Sequence, residues 1–114
     1  MEITMKKLVE LLNRDLMLEY SAAIQYIQHA IILADQIDFL DGVPTVDVGE
    51  IKISPDNVTM LEQDLEGEED AIRRYKIRIE QAEQLKEFAL AQQLRTILAT
   101  EQEHAMDLTQ ALGK

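Results

Sequence analysis

The sequence predicts an all-α protein: a helical bundle of one very long helix and two further helices, with a long extended connection after the first. Three observations predict it. No Gly or Pro occurs before Gly42 and Pro44, so the first forty residues contain no helix breaker. Apolar residues recur at three- and four-residue spacing through three separate stretches. Hydrophobic residues make up 46% of the chain but aromatics only 4%, with no Trp, so aliphatic side chains, Met and Ala must fill the interior.

The first helix is expected from about Thr4 to Leu40. Leu8, Leu12, Leu16, Ala23, Ile27, Ala30, Ala34 and Ile37 form one stripe; Ala22, Tyr26, His29 and Leu33 form a second. Between Leu16 and Ala34 the helix is apolar almost all round, which requires neighbours on more than one side. A helix of about 36 residues is about 55 Å long. No turn chemistry interrupts it, so it reads as one rod extending past its own domain rather than as two helices with a tight connection.

Residues 41–54, DGVPTVDVGEIKIS, combine Gly, Pro and β-branched residues and read as an extended connection. At about 3.3 Å per residue, this segment covers about 45 Å and can run the height of a bundle, joining two parallel helices. Ser54 is the expected N-cap of the second helix, with Pro55 at its first position and Asp56 in its first turn. The core stripe of that helix is Val58, Leu61, Leu65, Glu68, Ile72, Tyr75, Ile79 and Ala82. The last helix carries Leu90, Leu94, Ile97, Leu98, Glu101, Ala105, Leu108 and Leu112, and Gly113 stops it. The break between these two helices is placed near Lys86–Phe88.

The 114 residues suffice for one domain with a modest core, and residues 1–114 are read as a single domain. A net charge of −11 argues against nucleic acid or an anionic membrane as partner. Without Cys there is no disulfide and no thiolate chemistry. The polar N-terminal stretch does not read as a secretory signal, and no run is long and apolar enough to span a membrane. A soluble, cytoplasmic protein is the expectation.

Glu19 is the only charged side chain between Asp15 and Asp35, in a stretch reading LMLEYSAAIQYIQHAIILA. Burying such a carboxylate without a partner costs several kcal/mol, so it either reaches outward to water or meets a cation. Glu68 and Glu101 fall on the apolar stripes of the later helices, although Glu69 is an alternative to Glu68 as the inward member. His104 follows Glu101 by three residues. That Glu-x-x-His spacing puts a carboxylate and an imidazole on one helix face, where they can converge on one ion. Composition alone predicts about 0.2 chance matches to the motif, so it carries weight only jointly with the other acids.

An internal echo adds to the pattern. Glu19, Ala22 and Tyr26 recur with the same offsets as Glu68, Ala71 and Tyr75, and His29-Ala30 recurs as His104-Ala105. Taken singly, Tyr26 and Tyr75 are plain core aromatics and His29 a packed, hydrogen-bonded imidazole. Together, acids on core stripes and imidazoles on helices suggest a metal site of the carboxylate-bundle kind, suited to iron(II) or manganese.

The residues LNRDLMLEYSAAIQY, QHAIILADQIDFLDGVPT, LEQDLEGEEDAIRRY and LATEQEHAMDL resemble the ferritin-like superfamily, and within it the bacterioferritin branch. The resemblance covers nearly the whole chain. It implies a ferritin-like helical bundle with a di-iron carboxylate site, in which Glu19, Glu68, Glu101 and His104 are metal ligands. His29 would keep the ligand type of the family's second helix. The departure is informative too. About a helix's worth of chain is missing between the first helix and the end of the second, so the flanks fuse around Gln28-His29-Ala30. Tyr26 then stands where the second-helix Glu belongs. The region that offers a haem-ligating Met is also gone, so haem is not expected; nor is a ferritin cage.

His29 lies ten residues, about 15 Å, beyond Glu19 on one helix, so the two cannot share a site within one chain unless the helix folds back. Two chains pairing antiparallel through their long helices would complete two bundles, and a helix-sharing homodimer is expected, with His29 supplied by the partner copy. The implied function is a non-haem metalloprotein binding iron or manganese, an oxidoreductase of the ferroxidase kind if iron(II) is oxidised by dioxygen or peroxide. The rival reading is a degenerate ferritin-like module without metal that acts by pairing with a protein. An anion- or nucleotide-binding bundle lacks a Gly-rich loop or basic cluster to support it.

Overall fold

The structure, a computed structural model, describes residues 2–114. It contains three helices and no strand among the described residues, as the periodicity predicts. The chain divides into two compact units, Met1–Pro44 and Thr45–Lys114.

The first unit is built on α1, Met5–Phe39, an uninterrupted helix of 35 residues, about 52 Å long. Thr4 caps it, its Oγ1 accepting from the Lys7 N–H at 3.1 Å. Taken by itself a single helix has no interior, and none of its residues is buried. The helix ends in a Schellman turn. Asp41 takes a left-handed φ of 62° and the Gly42 N–H donates to the Ile37 carbonyl at 2.8 Å. A Cβ on Gly42 would come within 2.9 Å of Ile37 Cγ2, which explains why glycine stands there.

The second unit is an extended lead-in, residues 45–56, followed by an αα-hairpin. Lys52 reaches back to Glu66, Nζ to Oε1 at 3.6 Å, so the lead-in runs beside the second helix. That helix, α2, spans Asn57–Gln84 and starts two residues later than the sequence suggests. Asp56, not Ser54, is the N-cap. The Asp56 carboxylate accepts from both the N–H (2.9 Å) and the hydroxyl (2.6 Å) of Thr59. Ser54 Oγ instead accepts from the Asp56 N–H, holding the turn that precedes the helix. A carboxylate is the stronger acceptor for the orphan helix N–H groups, so it sets the boundary.

Helix α3 spans Phe88–Ala111. The link is tight: α2 closes on Leu85, Lys86 adopts φ 61°, and the Glu87 N–H donates to the Ala82 carbonyl at 2.8 Å. This is the Lys86–Phe88 break read from the sequence. Gly113, with φ 73°, ends α3 as expected. The hairpin core is Leu65, Ala71, Ile79 and Ala82 against Ala91, Leu94, Ile97 and Ala105. Ala91 was absent from the expected stripe, yet it is fully buried beside the tight link, where small side chains let the backbones approach. Val58, expected in the core, is exposed in the first turn of α2. No helix among the described residues is long and apolar enough to cross a membrane.

Candidate metal centre

Register alone turns Glu68 inward. It follows the buried Leu65 by three residues and precedes the buried Ala71 by three, so no rotation of α2 can bury its neighbours and expose it. The same holds for Glu101, one turn after Ile97 and one turn before Ala105 on α3. Glu68 is 9% exposed and Glu101 5%, so both carboxylates lie among the core side chains. Glu69 is exposed, which settles the choice between the two neighbouring acids.

The hairpin sets these positions level. His104 Nδ1 lies 3.7 Å from Glu68 Oε1 across the helix pair and 3.9 Å from Glu101 Oε2 on its own helix. One donor atom from each of Glu68, Glu101 and His104 lies within 4.8 Å of the others. Gaps of 3.7 and 3.9 Å exceed hydrogen-bond length and suit donors flanking a shared cation. Two carboxylates on one interior patch repel, and a positive charge between them offsets that repulsion. Two hard oxygens and one imidazole nitrogen suit a divalent first-row cation, so the residues present fit such an ion.

Tyr75, two turns beyond Glu68, is half-buried. Burial pushes its phenol above the ordinary value of 10.0; the adjacent Arg74 guanidinium opposes this, and the Glu68 carboxylate adds to it. The guanidinium carbon sits 5.8 Å from the centre of the Tyr75 ring. Tyr75 is thus a core aromatic within electrostatic reach of the acid cluster.

Of the five ligand candidates read from the sequence, three come together: Glu68, Glu101 and His104. Glu19 and His29 belong to the first unit. Glu19 is exposed on α1, and His29, half-buried, meets the ring of Tyr26 edge-on at 6.4 Å between centroids. Ten residues of continuous helix separate Glu19 from His29. In the second unit, Gln63 Oε1 is buried with no hydrogen-bond partner, beside a cleft shared with Lys52, Glu66 and Asp70. Nothing in the helical spacing signals it.

The sequence matches the Ferritin family, described as a ferritin-like domain, over residues 20–114. The match takes in most of α1, both helices of the hairpin and all three gathered donors. An all-α architecture with carboxylates turned inward from separate helices agrees with it, and the chain belongs to the ferritin-like domain family.

Proposed function

We propose that this chain is a non-haem carboxylate metalloprotein that binds iron or manganese. Its ligands are Glu68, Glu101 and His104, with Glu19 of α1 as a further ligand and His29 supplied by a partner copy. The observation that supports it is the gathering of the first three donors within 4.8 Å on the inward faces of α2 and α3. Surface acids are common without an ion, but two carboxylates that are 9% and 5% exposed are not surface acids.

Within the family, we read the chain as a bacterioferritin relative that has lost the segment between its first helix and the end of its second. It acts as one cytoplasmic domain and is completed by homodimerisation through α1. Where iron(II) is the substrate, each ion gives one electron to dioxygen or peroxide. The carboxylates bind and neutralise the cation, His104 adds a nitrogen donor, and the flanking Leu65 and Ile97 limit water.

The test is metal content after anaerobic incubation with Fe(II) or Mn(II), comparing the wild type with Glu68→Gln/Glu101→Gln. Stoichiometric metal in the wild type and its loss in the double variant is the expected result. Near-zero metal in both proteins overturns the reading. It would leave the metal-free pairing module, which Tyr26 at the position of the second-helix Glu favours.

A further inference from the structure

The donors gathered on α2 and α3 limit how many ions they can take. Glu68 and Glu101 each bring one negative charge, and a ligating imidazole is neutral. The set therefore carries two negative charges, and one divalent cation neutralises it. A second cation would leave two positive charges uncompensated among carboxylates that are 9% and 5% exposed, which is costly where water is excluded.

The distances agree with a count of one. At metal–donor bonds of about 2.1 Å, two donors on one ion lie from about 3.0 Å apart at a right angle to about 4.2 Å apart on opposite sides. The gaps of 3.7 and 3.9 Å fall inside that span, and both are measured from the same atom, His104 Nδ1. An imidazole nitrogen offers one lone pair and binds one ion. Both carboxylates thus gather on the ion that His104 holds. The chain has two histidines, and the other, His29, belongs to α1 in the first unit.

Preorganisation separates the hairpin donors from those of α1. Glu101 and His104 stand one turn apart on α3, and the tight link after α2 sets Glu68 level with them. Buried Leu65, Ala71, Ile97 and Ala105 bracket the cluster on both helices, so little side-chain freedom is lost when an ion arrives. Glu19 and His29 lie ten residues apart on one helix, and no residue of α1 is buried to hold them.

We propose that α2 and α3 by themselves hold a single divalent cation per chain, through Glu68, Glu101 and His104. This ion loads before, and independently of, anything bound through Glu19 and a partner copy's His29. The count rests on the metal-binding reading above and departs from the di-iron site that the family resemblance implies.

The test is anaerobic titration of the full chain with Mn(II), read by calorimetry and by electron paramagnetic resonance. Expected is one tight equivalent per chain, with the hyperfine pattern of an isolated ion. Glu19→Ala/His29→Gln, its helix content checked by circular dichroism, is expected to keep that equivalent with Kd changed by less than about threefold. Glu19→Ala alone, at an exposed position, gives the same comparison if the double variant unfolds. Two equivalents binding together in the wild type, with the spectrum of an exchange-coupled pair, overturn the count. Loss of the tight equivalent from the α1 variants overturns its independence from α1. The metal-binding reading survives both outcomes. A wild type that binds no Mn(II) removes that reading and the count with it.

Discussion

His104 on α3 and Glu68 on α2 face each other across the hairpin at 3.7 Å, nitrogen to oxygen. This is the contact that joins two separately inward-turned helix faces into one donor set. Glu101, 3.9 Å from the same nitrogen, completes it from the adjacent turn. Each residue is placed by core packing on its own helix, so the cluster comes assembled with the fold of the second unit.

On the proposed function, the buried carboxylate cluster trades stability for binding. Glu101→Leu exchanges a group that is 5% exposed for an apolar side chain of similar reach. It is expected to stabilise the metal-free protein by about 1 kcal/mol. The wild type at a hundredfold excess of Mn(II) over Kd is expected to gain about 2.7 kcal/mol, a gain the variant lacks. Thermal unfolding with and without Mn(II), and again after chelation, reads both effects.

Ile97 is the largest fully buried side chain among the described residues and lies one turn before Glu101. Ile97→Ala is expected to cost about 3 kcal/mol, through lost transfer free energy and the cavity left behind. The check is the urea midpoint, which should fall with little change in slope.

Lys86 holds a left-handed φ of 61° in the three-residue link between α2 and α3. A side chain there costs about 1 kcal/mol that glycine avoids. Lys86→Gly is therefore expected to stabilise the hairpin by up to about 1 kcal/mol, read as a raised thermal midpoint with unchanged metal content.

The N-cap of α2 has a pH signature. Hydrogen bonds from the Thr59 side chain and then its backbone hold the Asp56 carboxyl below its ordinary value of 3.8. A depressed carboxyl contributes stability above its unfolded value and loses it as pH falls through the lower folded value. Asp56→Ala is expected to lower the unfolding midpoint at pH 7. The gap to wild type should close as the pH drops below 3.8, and Asp56→Asn should show less pH dependence than the wild type. Thermal unfolding across that range is the check.

Much of this was written in local sequence. The absence of breakers before Gly42 and the three- and four-residue apolar spacing suffice for one long helix and two more. Their ends are coded by short-range chemistry, at Thr4, at the Lys86 link and at Gly113. The start of α2 was misplaced because Ser54, Pro55 and Asp56 all carry start signals. The Asp56 carboxylate, the stronger acceptor, reaches Thr59, and Ser54 is left to hold the turn before the helix. The choice of Glu68 over Glu69 was visible only as a preference for the stripe, and packing against α3 made it definite.

By itself, then, the sequence determined most of the residues of α2 and α3 that face inward, though not Ala91 or the exposure of Val58, because helical periodicity and burial of apolar side chains act within a few turns. It placed two acids and a histidine on those faces. Only the tertiary structure decided that they meet. The link at residues 85–87 sets the register of one helix against the other, and that register brings Glu68 level with His104 and Glu101 across about a hundred ångströms of intervening chain contour. A distance between side chains so far apart in sequence is a property of packing, since no local preference encodes it.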